Sequence, residues 1–118
     1  MPFTTSFSQG DVVLVPFPFT DLSAIKQRPA LVLSPDRSNK ARPDLVVVAI
    51  TSQIPITPGD DEVLLSGNEL KETGLPKRSI IKLSKIFTIH QGLIRKKIGH
   101  VSDSMQAEIL EKLMQSLR

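Results

Sequence analysis

The sequence predicts a mainly β (α+β) domain, a small and strongly bent antiparallel sheet or barrel with one helix packed on it. Short apolar runs, several of them alternating with polar residues, are separated by turn signals from nine prolines and six glycines. Near the C-terminus the apolar spacing changes from the period of a strand to that of a helix. A length of 118 residues predicts a single domain over residues 1–118.

The N-terminal half contains three predicted strands. The first is the valine-rich run Asp11–Val15, which we expect to end at Pro16-Phe17-Pro18-Phe19 because two prolines remove two ladder donors. The second is Pro29–Ser34, closed by Pro35. The third, Leu45–Ile50, is the most apolar, and this predicts a central position in the sheet.

The second half continues with short elements. Gln53–Asp60 is a predicted loop, and Gly67–Thr73 contains one predicted helical turn. Four further strands are predicted, at Glu62–Leu65, Ser79–Leu83, Lys85–Ile89 and Lys97–Val101.

The last element is a helix with one apolar face, formed by Met105, Ile109, Leu110, Leu113 and Leu117. Either Ser102 or Asp103 can cap its N-terminus, and Gln106 can complete a capping box with Asp103. Packing this face on the sheet completes the predicted α+β architecture.

Composition excludes several classes of protein. With no cysteine, the chain has no disulfide, thiol nucleophile or thiolate metal site. The longest apolar run is far shorter than the ~20 residues of a membrane-spanning helix, and the N-terminus lacks the pattern of a signal peptide. We therefore expect a cytoplasmic protein that does not bind membranes. Two histidines without carboxylates at ligand spacing predict no metal site, and no nucleotide or cofactor motif is present, so no cofactor is expected.

The charges are segregated along the chain. The net charge is +3, but no acidic residue occurs from Thr73 to Ser102, a stretch that carries seven lysines and arginines. This pattern is typical of a face that binds phosphate. A solvated lysine surface would give the same pattern.

Two polar residues lie where predicted strands meet loops, at Arg28 and Thr51. A guanidinium can donate hydrogen bonds to two phosphate oxygens at once, and a threonine hydroxyl can both donate and accept a hydrogen bond. Together they could hold a phosphodiester and stabilise its transition state. The alternative is an arginine paired with a nearby acid such as Asp21 and a threonine that merely ends a strand. Phe17, between two prolines, is either a base-stacking aromatic or part of the core.

These segments closely resemble the PemK/MazF family of bacterial toxins, and the resemblance covers about residues 9 to 117. A G-D-V block followed by R-P-A-L-V-L is the specific part of it. The matching segments are Gly10–Asp21, Gln27–Ser34, Val48–Gln53, Lys85–Ile89 and Ile98–Ser102.

The resemblance implies an SH3-like barrel of the PemK/CcdB type and a homodimer inhibited by a cognate antitoxin. It also implies a metal-independent endoribonuclease that cuts single-stranded RNA, chiefly mRNA, through attack by the 2′-hydroxyl. The family's catalytic arginine and threonine map onto Arg28 and Thr51. The residues implied to contact RNA are Phe17, Lys26, Gln27 and the rest of the segment from Leu22, together with Ser52, Gln53, Ser84 and Lys85.

Two other functions are compatible with the same sequence. Some relatives on this fold bind DNA gyrase rather than cutting RNA, so a gyrase-binding poison is one alternative. A non-catalytic module that engages protein or nucleic acid through its basic face is the other.

Overall fold

A computed structural model describes residues 7–18 and 25–118, apart from the side chains of residues 17, 18 and 25. Within it, six antiparallel strands form one curled sheet in the order β4-β5-β3-β2-β1-β6, with β4 and β6 at its edges. The strands are β1 (Asp11–Pro18), β2 (Ile25–Val32), β3 (Asp44–Thr51), β4 (Glu62–Leu65), β5 (Ser79–His90) and β6 (Lys96–His100). The helices are α1 (Asp36–Ala41), α2 (Asn68–Lys71) and α3 (Asp103–Ser116). The predicted sheet-and-helix fold is confirmed, and β3 is central as expected.

Apolar side chains cover both faces of this sheet. On the face that carries α3, Met105 and Ile109 are buried, and Leu110 and Leu113 pack partly against the same cluster. Burying one such side chain contributes about 1.5–3 kcal/mol, so this face fixes the helix in place. Leu117 was predicted on this face, but it is 75% exposed because it lies just beyond the end of α3. The opposite face has its own cluster, formed by Phe7, Val13, Val15, Ala30, Val32, Leu45, Val47 and Ile89.

The first strand continues through its prolines, so the prediction that they end it was wrong. Pro16 pairs with Gln27, and Pro18 pairs with Ile25. The carbonyl of Leu14 accepts a hydrogen bond from the Arg95 amide at 2.8 Å and so faces the β6 side of the strand. Alternation places the nitrogens of Pro16 and Pro18 on the same side, beyond the last residue that β6 pairs. Because no strand pairs with that side of β1 at these two positions, the N–H groups that the prolines lack remove no hydrogen bond between strands.

The two predicted strands on either side of Ser84 are one strand, β5, with an irregularity in the middle. Val48 of β3 pairs with Ile86, and the next residue, Ala49, pairs with Lys82. Three residues of β5, Leu83, Ser84 and Lys85, therefore stand opposite no residue of β3. Such a bulge bends a strand and re-aims its side chains.

A short helix that the sequence did not predict, α1, follows the second strand. Its Asn39 is fully buried, and its amide donates to the carbonyls of Phe7 and Ser34, each at 3.0 Å. The Ser34 hydroxyl donates to Asn39 Oδ1 at 2.6 Å. These hydrogen bonds supply what burial of the amide requires, so α1 is held by polar contacts rather than by an apolar stripe.

The N-terminus of α3 is capped by Ser102, whose hydroxyl accepts from the Met105 amide at 3.2 Å. The predicted capping box with Gln106 is not formed. Gln106 instead donates to Gln9 Oε1 at 2.7 Å, a bond between residues 97 positions apart. This contact fastens the helix to the segment that leads into β1.

Two glycines allow the turn after α2 to pack against β6. A Cβ on Gly99 would lie 2.3 Å from the Glu72 carbonyl oxygen, and a Cβ on Gly74 would lie 2.0 Å from the Ile98 carbonyl oxygen. Gly74 also has a φ of +74°, a conformation that favours glycine. The backbone N–H of His100 donates to the same Glu72 carbonyl at 2.8 Å, so the two backbones are in direct contact here.

Among the described residues, no helix is long and apolar enough to cross a membrane.

Candidate active site

The register of β2 and β3 brings the two predicted catalytic residues together. The last ladder pair of these strands is Ala30 with Ala49, and continuing the register by two residues places Arg28 opposite Thr51. Residues that are in register on neighbouring strands point to the same face of the sheet. This face is the one opposite α3, because Arg28 follows the alternation of Ala30 and Val32.

Arg28 and Thr51 line one open cleft of about 310 Å³. The remaining lining residues are Ala49, Ile50, Ser52, Gln53, Lys82 and Lys85. Small side chains make the room, since Ala30 and Ala49 face each other across β2 and β3, and Ala49 lines the cleft. The cleft thus lies where apolar packing of this face ends and polar side chains begin.

The hydroxyl of Thr51 is held by the turn that follows β3. Its Oγ1 accepts a hydrogen bond from the backbone N–H of Gln53 at 3.1 Å. A hydroxyl has two acceptor positions and one proton, so this bond orients the oxygen and leaves the proton available to donate. Thr51 is partly exposed, which makes that proton accessible from the cleft.

The cleft is electropositive. Among the residues that the structure describes, its lining contains Arg28, Lys82 and Lys85 but no aspartate or glutamate, and Asp21, the alternative partner considered for Arg28, lies outside the described residues. Lys82 also lies beside an acid, since the Glu62 carboxylate is 3.5 Å from its ammonium. A guanidinium and two ammonium groups beside an oriented hydroxyl form a site for a phosphate-bearing anion.

The structure brings five predicted site residues into this cleft and leaves three of the described ones, Lys26, Gln27 and Ser84, outside its lining. Those in the lining are Arg28, Thr51, Ser52, Gln53 and Lys85. Lys26 is exposed on the same face of β2, two residues from Arg28, but outside the lining. Alternation turns Gln27 to the other face of β2, away from the cleft.

The remaining predicted contacts are Ser84, Phe17 and the segment that begins at Leu22. Ser84 is exposed in the β5 bulge next to Lys85. The main chain of Phe17 pairs with Lys26, but its side chain lies outside the described part of the structure. Residues 22–24 of the predicted contact segment also lie outside it.

Sequence reasoning missed three lining residues, Ala49, Ile50 and Lys82. Lys82 was visible only as one lysine of a long basic stretch. The signal that could have singled it out is its place between buried residues Ile81 and Leu83, which fixes its side chain on the opposite face of β5.

No group of three potential metal-ligating side chains occurs within residues 7–18 and 25–118. Both histidines have other contacts. His90 Nδ1 accepts from the Gly92 amide at 2.9 Å, and His100 Nε2 lies 2.9 Å from a Glu72 carboxylate oxygen.

Comparisons with known proteins agree with this architecture. The family model described as "PemK-like, MazF-like toxin of type II toxin-antitoxin system" matches residues 8–117. The Bacillus subtilis protein named Endoribonuclease EndoA is 33% identical over 115 residues, covering 92% of each chain.

Solved structures show the same fold. A mycobacterial endoribonuclease in complex with its cognate antitoxin aligns with a TM-score of 0.77 at 17% identity, covering 95% of each chain. A MazE-MazF structure from Deinococcus radiodurans aligns at 0.72 and 22% identity, covering 96% of each chain. The resemblance read from the sequence is confirmed: the chain belongs to the PemK-like, MazF-like toxins of type II toxin–antitoxin systems.

Proposed function

We propose that this chain is a metal-independent endoribonuclease toxin that cuts single-stranded RNA. The observation that carries the proposal is that Arg28 and Thr51 line one electropositive cleft. The kinship with a protein named as an endoribonuclease supports the same reaction class.

In the proposed reaction, the ribose 2′-hydroxyl attacks the adjacent phosphorus while the bond from phosphorus to the 5′-oxygen breaks. The 2′-hydroxyl loses a proton and the departing 5′-oxygen gains one, so no water is consumed. The products are a 2′,3′-cyclic phosphate and a 5′-hydroxyl end. The step needs stabilisation of a phosphorane that carries more negative charge than the substrate, and this is what fixed positive groups supply.

Arg28 is the residue suited to that charge. It is exposed in the cleft, its charge is permanent, and its planar fork matches two phosphate oxygens. Because a guanidinium does not give up its proton at neutral pH, we assign Arg28 to charge stabilisation rather than to general base catalysis.

Thr51 is suited to hydrogen bonding at the same phosphate. Its oxygen is oriented by the Gln53 amide, and its proton can reach a non-bridging oxygen or the 2′-hydroxyl. Ser52 and Gln53 extend the polar wall, and Lys85 adds a cation from β5. These residues would orient the RNA around the bond that breaks.

The protein partners follow from kinship. We propose a cognate antitoxin, since one structural relative is described with its antitoxin and another as MazE-MazF. We also propose a homodimer. The side chains of Val46 and Ile86, on the neighbouring strands β3 and β5, are 37% and 39% exposed and are candidates for its interface.

Purified protein incubated with a long single-stranded RNA in EDTA tests the proposal. We expect cleavage to persist in EDTA, the new ends to be 2′,3′-cyclic phosphate and 5′-hydroxyl, and Arg28→Ala to abolish cutting while the protein stays folded. A binding module would shift the RNA without cutting it, and a gyrase poison would stall gyrase on DNA and leave RNA intact. Either result, or an absolute need for a divalent ion, contradicts the proposal.

A further inference from the structure

A second hollow adjoins the cleft, and the two share Gln53 and Lys82 as a common wall. It is an open depression of about 560 Å³ beneath the loop between β3 and β4. Its other lining residues are Ile54, Pro55, Thr57, Gly59 and Glu62. The lining thus combines apolar side chains with a carboxylate and an ammonium.

The carboxylate of Glu62 is fixed in place. Its Oε1 accepts from the Gly59 amide at 2.7 Å, and its Oε2 lies 3.5 Å from the Lys82 ammonium. Only 10% of its side chain is exposed, against 32% for Lys82. The backbone carbonyl of Glu62 accepts from the Lys112 ammonium of α3 at 3.0 Å, which ties the same residue to the helix.

These contacts leave acceptor capacity on Glu62. A carboxylate has two oxygens with about four lone-pair sites, and one donor reaches each oxygen. The Lys82 ammonium, 3.5 Å from Glu62 Oε2, has three donor protons. The pair therefore offers an anionic acceptor beside a cationic donor, on a support that does not need to rearrange.

The distance between the Glu62–Lys82 pair and the cleft determines which part of a bound RNA can reach the pair. Glu62 is opposite Lys82, and Lys82 is opposite Ala49, the floor of the cleft. At about 4.8 Å between neighbouring strands, Glu62 lies about 10 Å from β3, where Thr51 ends the strand. A phosphate held by Arg28 and Thr51 thus leaves the base of a neighbouring nucleotide free to enter the hollow.

We propose that this hollow is a base-binding subsite of the nuclease, selective for a nucleobase that carries an exocyclic amino group. The amine would donate to Glu62 while an adjacent ring nitrogen or carbonyl oxygen accepts from Lys82, and Ile54 and Pro55 would contact the ring. Adenine, cytosine and guanine satisfy this pattern. Uracil has no amine, and its one donor, the ring N3–H, lies between two carbonyl oxygens, so donating it to Glu62 brings a carbonyl oxygen close to the carboxylate. The proposal rests on the proposed ribonuclease activity and adds its base preference.

The experiment uses short RNAs that contain one mapped cleavage site. Each position flanking the cut is varied through the four bases, and initial rates are compared. At one position we expect uridine to be cut about tenfold or more slowly than an amino-bearing base, since a good bidentate contact is worth about 1–3 kcal/mol. Removing only the amine, with inosine, purine riboside or pyrimidin-2-one riboside, should reproduce that loss.

Two variants locate the effect. Glu62→Gln should erase the difference between amino-bearing and amine-free bases while the RNA is still cut. Asp60→Asn makes the same charge change two residues away, outside the lining of this hollow, and should keep the preference. Circular dichroism and thermal melting establish that both variants fold, and if Glu62→Gln does not fold, the amine-deleted RNAs decide the question with the unaltered protein.

Three results would overturn the subsite. They are no dependence on the amine at any flanking position, an unchanged base preference in folded Glu62→Gln, and complete loss of cleavage in folded Glu62→Gln. A failure of the unaltered protein to cut any long single-stranded RNA would instead overturn the proposed function. The two failures are therefore distinguishable.

Discussion

Replacing Thr51 by valine tests the role of its hydroxyl with almost no change of shape. Two contacts are at stake. One is the hydrogen bond from the Gln53 amide at 3.1 Å, and the other is the donor that Thr51 presents to the cleft. Because both residues are solvent-accessible, the freed amide can bond to water, so we expect a loss of at most about 1 kcal/mol in the free energy of unfolding.

The loss of catalysis should be much larger. Removing one oriented donor from a transition state typically costs about 10²–10³ in rate, or about 2.7–4 kcal/mol in the activation free energy. Thr51→Val should therefore cut a defined RNA about 10²–10³ times more slowly at saturating substrate, with little change in melting temperature. Thr51→Ser keeps the hydroxyl and should retain most of the activity.

The assay is the initial rate of cleavage of an RNA with one cut site, with Thr88→Val as the matched control. Thr88 is an exposed threonine of β5 that pairs with Val46, far along the sheet from the cleft. A Thr51→Val protein that cuts within about threefold of the unaltered rate would show that the hydroxyl does not act in the transition state. Equal losses for the valine and serine variants would contradict the reasoning in the same way.

Three further predictions concern charge and packing. Arg28→Lys keeps a point charge but loses the bidentate fork, so its cleavage rate should fall about 10- to 100-fold and yet exceed that of Arg28→Ala. Lys85→Gln should weaken RNA binding and lower the slope of log affinity against log salt by about 0.7, whereas Lys40→Gln on α1 should leave that slope unchanged. Gly99→Ala should lower the free energy of unfolding by about 3 kcal/mol in urea titrations, while Gly59→Ala, which faces only a flexible side-chain end at 3.1 Å, should cost far less.

Each of these has a contrary outcome. Equal activity of the lysine and alanine variants at Arg28 would remove charge stabilisation from its role. A salt slope that changes equally for Lys85 and Lys40 would indicate a diffuse electrostatic effect. An alanine at Gly99 that leaves stability unchanged would mean that the Glu72 carbonyl can move away from β6 without cost.

The strands were predictable where local pattern and tertiary position agree. Glu62–Leu65 was predicted with its observed bounds, and the apolar run Leu45–Ile50 became the core of the central strand. The prolines of β1 misled the prediction because their effect depends on which side of the strand has a neighbour. That information is tertiary and is absent from the local sequence.

Other features could not be predicted because they depend on distant partners. α1 has six residues and no apolar period, and it is held by the buried amide of Asn39. Gln106 was assigned to a local capping box but bonds to Gln9 across nearly the whole chain. The break expected at Ser84 was real in position but is a bulge, since β3 continues past it and keeps both halves of β5 paired.

The site was predictable in part. Arg28 and Thr51 were identified by the family resemblance, and the strand register accounts for why they meet. Lys82 was not identified, because its importance comes from a position shared by two depressions, and only the folded sheet creates those.

The order of the strands has a consequence for synthesis of the protein. β1 lies between β2 and β6, and Gln9 is bonded to α3, so the first strand of the chain is completed by its last elements. A ribosome must therefore translate through α3 before the nascent chain can complete this sheet and fasten the helix to it. Until then one side of β1 stays unpaired, and the cleft on the neighbouring strands rests on an unfinished sheet.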